Sequence, residues 1–269
     1  MESNHLHESR VALVTGATGA IGKAIARQIA ATQNVEVVLL CRNPEKAERA
    51  VNEIKSATGN GKVSHATVDL SLRSSIEAFA ASWSRPVHVL VNNAVIAPHT
   101  REETSEGIEL QFATNVLGYW RLTRALEDHL VASTPARVVN VASYWAGDLD
   151  LHDLEFKRRR YDQHQAYRQS KQANRMLTVA FAERLKPHGI AVNACHSGDV
   201  HSALSHALGF GGHESPDQGA ATPVWLATDP QGQAVTGKYF EHGREVRCRF
   251  AENKAQVTAL DEACRRYDE

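Results

Sequence analysis

The sequence is poor in cysteine, with four in 269 residues and no CxxC pair among them. The disulfide scaffolds of small secreted domains need a denser cysteine framework, so that class of protein is excluded. We interpret Cys41, Cys195, Cys248 and Cys264 as reduced thiols of a cytoplasmic protein. The sequence also lacks an HExxH motif and any Cys/His cluster with ligand spacing, so we predict no metal site.

Long apolar runs and an excess charge of one sign are also missing. No apolar run approaches the roughly 20 residues that span a bilayer. Residues 1–9 are polar and are predicted to form a flexible tail. Lys and Arg number 30, and Asp and Glu number 31, which leaves a net charge of -1. Such a chain has no bulk attraction to nucleic acid or anionic membranes, so we expect neither as a partner.

Short β-branched runs alternate with longer helical patterns along the rest of the chain. Most of the runs are continuously apolar, which is typical of parallel strands covered on both faces. The predicted strands are Val11–Thr15, Val35–Cys41, Lys62–Val68, Val87–Asn92, Arg137–Ser143, Ile190–Cys195 and Thr236–Phe240. The predicted helices are Ile21–Thr32, Pro44–Thr58, Leu72–Trp83, Ser105–Ala132, Gln163–Lys186 and Pro216–Thr228. This alternation predicts a single α/β domain over residues 10–269, with a doubly wound, mostly parallel seven-stranded sheet and helices on both faces.

The first predicted strand runs directly into a glycine-rich turn, TGATGAIGK at residues 15–23. Glycine allows the backbone to turn tightly and to approach a pyrophosphate, which the free N–H groups of the following helix can bind. The place of this turn predicts a dinucleotide site on a Rossmann fold, and a plain tight turn is the alternative. The residues predicted to bind the cofactor here are Gly16, Thr18, Gly19, Ala20, Ile21 and Gly22.

The ends of the next three strands supply further cofactor candidates. Where NAD-binding proteins carry an acidic residue, this sequence has Arg42, which can pair with the 2′-phosphate of NADP. A solvated arginine at a strand end is the alternative. At the end of the third strand, Asp69 is predicted to accept a hydrogen bond from the adenine amino group. The other candidates at these strand ends are Leu70, Asn92, Asn93, Ala94 and Val95.

Tyr167 and Lys171 stand four residues apart in a predicted helix and therefore share one face. A tyrosine has an ordinary pKa near 10 and needs a shift of about 3 units to act as a base near pH 7. An ammonium about 4 Å away can supply that shift at an effective dielectric constant near 20. A pair on the helix surface is the alternative.

Two more polar residues are predicted near this pair. Ser143 ends the fifth predicted strand, where its hydroxyl can donate to a substrate carbonyl oxygen. Asn115 lies in the helical pattern after the fourth strand, where a buried amide can hold a water for a proton path. With Tyr167 and Lys171, these two complete the set of predicted catalytic residues.

Together these motifs resemble the short-chain dehydrogenase/reductase family over essentially the full length of the chain. The resemblance rests on TGATGAIG, the NNA run at residues 92–94, Asn115, Ser143, YRQSK at residues 167–171 and HSGDV at residues 196–200. The LLCRNPEKA run at residues 39–47 is similar to the retinol dehydrogenase and protochlorophyllide reductase-like members. The long segment between Ser143 and Tyr167 and the TGKYF run at residues 236–240 are similar to the same members.

The resemblance implies NAD(P)-dependent carbonyl or alcohol chemistry. It implies that Tyr167 is the general acid/base and also contacts the cofactor, and that Lys171 lowers the pKa of Tyr167 and binds the nicotinamide ribose. Ser143 would orient the substrate, and Asn115 would support the proton relay. The same resemblance places Gly198, Val200 and Ser202 at the nicotinamide. The sequence departs from the usual family residues at Ala20 and Val95, where glycine is usual, at Ser197, where proline is usual, and at Ser202, where threonine often stands.

The sequence therefore predicts an NADP-dependent oxidoreductase that interconverts an alcohol with a ketone or aldehyde. An apolar or aromatic substrate is expected, because residues 95–100, 144–149 and 199–212 should form its wall. The stretch around residues 199–216 is predicted to be a substrate lid. The alternatives are a catalytically silent NADP-binding regulatory protein and an epimerase or dehydratase of the extended subgroup. Both a homodimer and a monomer fit the sequence.

Overall fold

The strands of the sheet form where the sequence is most continuously apolar. The computed structural model describes residues 9–269. Within them the strands are β1 Arg10–Thr15, β2 Val35–Cys41, β3 Val63–Thr67, β4 Val89–Asn92, β5 Arg137–Val141, β6 Ala191–Cys195, β7 Tyr239–Glu241 and β8 Arg244–Val246. In space these eight strands follow the order β3-β2-β1-β4-β5-β6-β7-β8. All pairs from β3 to β7 are parallel, and β8 is antiparallel to β7.

Helices cover both faces of this sheet. They are α1 Ala20–Ala30, α2 Pro44–Thr58, α3 Arg73–Ser82, α4 Leu110–Phe112, α5 Gly118–Ala125, α6 Glu127–Val131, α7 Gln163–Leu185, α8 Ala203–Ala207, α9 Pro216–Thr228, α10 Pro230–Gln233 and α11 Lys254–Arg266. A π turn, Ala113–Leu117, joins α4 to α5. One apolar core packs α1, α2 and α9 on the sheet, and a second packs α3, α5, α7 and α11 on the opposite face. The doubly wound α/β prediction is confirmed.

Strand β1 shows how the sequence produces the two layers. Val11 and Leu13 belong to the core under α7, whereas Ala12 and Val14 belong to the core under α1. Successive side chains of a strand point to opposite faces, so a continuously apolar strand fills both cores. The strand then ends at Thr15, where its hydroxyl accepts a hydrogen bond from the Asn93 backbone N–H at 2.8 Å.

The sheet has eight strands within residues 9–269, so the prediction of seven strands is one too few. The additional strand, β8, has three exposed residues, two of them charged, so it carries no apolar signal. It forms a hairpin with β7, which begins at Tyr239 rather than at Thr236. The later start follows from Gly237, whose φ of +72° turns the chain before the strand.

Two helical predictions also need correction. The predicted helix Ser105–Ala132 begins only at Leu110 and is divided into α4, the π turn, α5 and α6. Helix α11 lies beyond the last predicted helix, yet it is amphipathic and buries Val257, Leu260 and Ala263. The spacing of these three residues was the signal that the sequence contained.

The predicted tail, residues 1–9, falls almost entirely outside the described residues. Of that tail only Ser9 is described, and its hydroxyl accepts a hydrogen bond from Lys62 Nζ at 2.6 Å. No helix in residues 9–269 is both long enough and apolar enough to cross a membrane.

Candidate active site

Two adjoining clefts open at the carboxyl ends of the parallel strands, where ligands bind in doubly wound sheets. The first, which we call the cofactor cleft, has a volume of about 350 Å³ and lies over the glycine-rich turn. The second, the substrate cleft, has a volume of about 200 Å³ and lies over the end of β5. Ile21, Ser202 and Leu204 line both clefts, so the two spaces are continuous.

The glycine-rich turn is closed to side chains on its inner side and open toward the cofactor cleft. Gly16 has a φ of +63°, and a Cβ there would lie 2.7 Å from the Cα of Ala94. A Cβ on Gly22 would lie 2.4 Å from the carbonyl oxygen of Gly16. At the helix N-cap, Gly19 has no side chain to bond the first N–H groups of α1. Those N–H groups and the helix dipole therefore suit a pyrophosphate.

Most residues predicted to bind the cofactor line this cleft. They are Gly16, Thr18, Gly19, Ala20, Ile21, Gly22, Arg42, Leu70, Asn93, Ala94, Val95 and Ser202. The sequence reasoning missed Lys46, which joins Arg42 at the rim. The signal was available, because Asn43 caps α2 by accepting from the Lys46 N–H at 2.8 Å. That cap places residue 46 in the first turn of the helix, four residues after Arg42.

Two of the cofactor residues predicted at strand ends do not line the cofactor cleft. Asn92 is fully buried, and its amide donates to Asn140 Oδ1 at 2.9 Å and to Thr123 Oγ1 at 3.1 Å, so it joins neighbouring elements. The carboxylate of Asp69 accepts from the backbone N–H of Ser71 at 2.9 Å and from its hydroxyl at 2.7 Å. Both side chains therefore stabilise the ends of strands in this structure.

Ser143 and Tyr167 line the substrate cleft together, and Lys171 lies behind them. The Lys171 ammonium donates to the carbonyl oxygen of Val141 at 2.8 Å and lies 5.7 Å from the centre of the Tyr167 ring. Ser143 Oγ accepts from the backbone N–H of Trp145 at 3.1 Å. The helix face that carries Tyr167 and Lys171 thus meets the end of β5, as their spacing predicts.

The electrostatics of this pair differ from the sequence expectation. Burial raises the pKa of Tyr167 to about 12, and a hydrogen bond with Ser143 lowers it only in part. Burial also lowers the pKa of Lys171 to about 7. Desolvation is the largest cause of both shifts, and it acts against the lowered tyrosine pKa that the spacing of the pair predicts. At neutral pH Tyr167 carries its proton and is suited to donate it.

Asn115 lies in the π turn with its side chain fully buried. Its Oδ1 accepts from the Ile96 N–H at 3.0 Å, and its Nδ2 donates to the Ile96 carbonyl at 2.9 Å and to Ser170 Oγ at 3.2 Å. The side chain therefore fixes the loop after β4 beside the cofactor cleft. Its role in a proton relay stays a prediction.

Arg175, which the sequence reasoning missed, holds the backbone of Ser143. Its guanidinium donates to the Ser143 carbonyl oxygen, stacks 3.5 Å from the ring centre of Tyr239, and lies 3.7 Å from a Glu241 oxygen. The residue is four positions after Lys171 on α7, and this spacing was the available signal.

Aromatic side chains dominate the wall of the substrate cleft. Tyr144 and Phe210 are about half exposed, and the Trp145 ring lies edge-on to Phe210 with 4.8 Å between their centres. His196 and Asp199 add polar groups that the sequence reasoning did not assign. Val95 and Ile96, expected in this wall, line the cofactor cleft instead, because the loop after β4 is bound to Asn115.

The two ends of the predicted lid, residues 199–216, contact each other through one short pair of strand-like segments. Val200 and Glu214 form a parallel bridge, and the Asp199 N–H donates to a Glu214 carboxylate oxygen at 2.5 Å. Gly198 and Val200, predicted at the nicotinamide, line the substrate cleft at the base of this segment. A Cβ on Gly198 would lie 1.9 Å from Glu214 Oε2, so a side chain there would displace the Glu214 carboxylate.

The family model for short chain dehydrogenases matches residues 10–209. The chain belongs to the short-chain dehydrogenase/reductase family. It is 38% identical over 259 residues to a probable oxidoreductase of Streptomyces antibioticus, covering 88% of this chain and 86% of that protein. It is 35% identical over 256 residues to retinol dehydrogenase 13 of Mus musculus, covering 88% of this chain and 76% of that protein. A solved structure described as a candidate NAD(P)-dependent gluconate 5-dehydrogenase from Beutenbergia cavernae, with NADP bound at low occupancy, is 28% identical to this chain with a TM-score of 0.69. The match covers 88% of this chain and 96% of that one.

Membership of the short-chain dehydrogenase/reductase family makes the chain an NAD(P)-dependent oxidoreductase that interconverts carbonyl and alcohol groups of small molecules. The four positions that depart from the usual family residues all lie at the clefts: Ala20 and Val95 line the cofactor cleft, Ser197 lines the substrate cleft, and Ser202 lines both. In residues 9–269 no group of three or more His, Cys, Asp or Glu side chains is placed to hold a metal ion.

Proposed function

We propose that the protein is an NADPH-dependent carbonyl reductase in which Tyr167 protonates the substrate oxygen. The observation that carries this proposal is the position of the Tyr167 and Ser143 hydroxyls in one cleft, continuous with the cofactor cleft. The pKa of Tyr167, raised to about 12 by burial, keeps the hydroxyl protonated at neutral pH, as a proton donor to the substrate oxygen must be.

The preference for NADP rests on the charges at the rim of the cofactor cleft. Arg42 and Lys46 both line the rim, and no acidic residue among the described residues lines that cleft. Two cations suit a 2′-phosphate, whereas a ribose hydroxyl would be expected to meet a carboxylate. The related gluconate 5-dehydrogenase structure with bound NADP supports the same choice. Lys23 does not contribute, because it pairs with Glu53 at 2.6 Å.

The reaction uses the residues around the end of β5. When bound, the reduced nicotinamide supplies the hydride that adds to the carbonyl carbon. Ser143 donates a hydrogen bond to the carbonyl oxygen and holds the substrate in place, and Tyr167 gives that oxygen its proton. Lys171 lies behind Tyr167 and stabilises the tyrosinate that remains until a proton from solvent replaces the one donated. Gly198 and Val200 line the substrate cleft and would border the nicotinamide ring, and Ser202, which lines both clefts, would bind its carboxamide.

The substrate proposed is an apolar ketone or aldehyde with an aromatic body. The cleft is lined by Trp145, Leu204, Leu208 and Phe210, and by no arginine or lysine among the described residues. Apolar and aromatic walls with few polar groups are typical of sites for such molecules. A ketone series from short aliphatic to polycyclic members, compared by kcat/KM, tests the choice. Highest activity on small or phosphorylated carbonyls would contradict it.

Tyr167→Phe tests the catalytic assignment, because it removes the proton donor and keeps the ring. With an aryl ketone and NADPH, kcat should fall about 10²–10⁴-fold, while NADPH binding, followed by tryptophan fluorescence, should be unchanged. Tyr267→Phe is the matched control, since that hydroxyl bonds Glu155 at 2.8 Å far from the cleft. Wild-type turnover in Tyr167→Phe would show that another group donates the proton.

A further inference from the structure

The substrate cleft carries a net negative charge on its wall. Of the described residues that line it, Asp199 alone bears a formal charge at neutral pH. His196, the other titratable side chain near it, is neutral because burial lowers its pKa to about 4. Behind this wall, Arg168 pairs with Asp148 at 2.7 Å and Arg175 lies 3.7 Å from Glu241. The third cation there, Lys171, donates to the Val141 carbonyl at 2.8 Å, and burial lowers its pKa to about 7.

The carboxylate of Asp199 is accessible to a ligand in the cleft. Its side chain is 47% exposed, with Oδ2 3.5 Å from the Tyr144 hydroxyl and Oδ1 4.0 Å from His196 Nε2. Neither neighbour is a cation, so the negative charge of Asp199 is not balanced by a partner that the structure describes. The Glu214 carboxylate, which accepts from the Asp199 N–H, adds a second negative charge directly behind it.

Aromatic rings line the same wall and add to the preference for a positively charged ligand. Tyr144 is 50% exposed and Phe210 47% exposed, so both present ring surface to the cleft. The faces of aromatic rings attract ammonium groups and do not attract carboxylates. The carboxylate and the rings therefore favour the same sign of charge, and these are separate physical effects.

We infer that this cleft selects carbonyl substrates by charge: a ketone or aldehyde whose body carries an ammonium group is preferred over its neutral analogue, and one that carries a carboxylate is rejected. This inference rests on the proposed reductase activity and narrows its substrate class from aromatic carbonyl compounds in general to those whose aromatic body also carries an ammonium group. Asp199 acts as a specificity-determining residue in this inference and takes no part in hydride or proton transfer.

Three aryl ketones of the same size test the inference, one with an aminomethyl, one with a hydroxymethyl and one with a carboxylate group on the ring. The readout is kcat/KM with NADPH for the wild type, Asp199→Asn and Asp199→Glu. A half-exposed charge pair changes affinity by up to about fivefold. Because Asp199 attracts the cationic ketone and repels the anionic one, kcat/KM for the cationic ketone should be about tenfold higher than for the anionic ketone in the wild type. Asp199→Asn should lower that ratio to about threefold, the part left to the rings, and Asp199→Glu should keep it.

Asp128→Asn is the matched control, since it removes the same charge from an exposed position on α6. It should keep the wild-type ratio. Equal kcat/KM for the three ketones in the wild type would overturn the inference and leave the reductase proposal intact. A tenfold ratio that survives in Asp199→Asn would overturn the role of Asp199. Failure of the enzyme to reduce any of the three ketones would overturn the proposed function and the inference with it.

Discussion

Replacing Arg175 with methionine should separate the anchoring of Ser143 from the stability of the fold. The Arg175 side chain is 7% exposed and touches three partners: the Ser143 carbonyl, the Tyr239 ring and Glu241. A hydrogen bond from a charged donor contributes about 1.5–3 kcal/mol, and a desolvated cation–π contact contributes about 2 kcal/mol. Methionine fills the volume and avoids burying a charge, which offsets part of this loss.

We therefore expect Arg175→Met to lower the free energy of unfolding by about 3 kcal/mol, as measured by urea denaturation. The Ser143 backbone would lose its anchor, so kcat should also fall by about tenfold to hundredfold, because small displacements of positioning groups have effects of that size. KM for NADPH should stay unchanged, since Arg175 does not line the cofactor cleft. Arg175→Lys keeps the positive charge but lacks the planar guanidinium group, so it should recover part of the lost unfolding free energy and part of the lost kcat.

Arg121→Met is the matched control for this experiment. Arg121 is also buried, with 3% of its side chain exposed, and its Nε donates to Asp268 at 2.7 Å, far from the clefts. It should lose comparable stability and keep kcat. If both variants keep the wild-type kcat while both lose stability, Arg175 is a structural residue only. If Arg175→Met keeps full stability, the energies assigned to its three contacts are wrong.

Two further predictions concern charge. Arg42→Asp should abolish the preference for NADPH over NADH by placing an anion beside the 2′-phosphate, and equal kcat/KM for both cofactors in the wild type would contradict this. Burial raises the pKa of Glu109 from 4.5 to about 7, so its contribution to stability is present below pH 4.5 and is lost as the pH rises through 7. The free energy of unfolding of Glu109→Gln should therefore rise by about 3 kcal/mol relative to that of the wild type between pH 4.5 and pH 8. If the urea midpoints of the two proteins differ by the same amount at pH 4.5 and at pH 8, this prediction is wrong.

The sequence predicted that Tyr167 and Lys171 lie together because both belong to one short helical motif. Tyr167 and Lys171 share a face wherever the helix is placed, and the glycine-rich turn is equally local. The sheet was predictable for the same reason, since each strand is a contiguous apolar run. Strand β8 was not, because its three exposed residues show no apolar pattern.

Contacts between distant parts of the chain could not be predicted. Tyr144 meets Asp199 across 55 positions, and Arg175 reaches Ser143 across 32. Burial is equally invisible in a single sequence, and it decides the protonation of Tyr167 and Lys171. The expectation of a tyrosine pKa near 7 counted the attraction between the two groups and omitted their desolvation.

The π turn Ala113–Leu117 imposes a constraint on chain length rather than on residue type. It places one extra residue within a helical segment, and one residue corresponds to a rotation of about 100° around a helix axis. Deleting a residue there would rotate everything after it, so either Asn115 would turn away from Ile96 or Trp120 would leave the core. A substitution in this turn disturbs the contacts of one buried side chain, whereas a deletion disturbs the cofactor side and the packed side of the segment together.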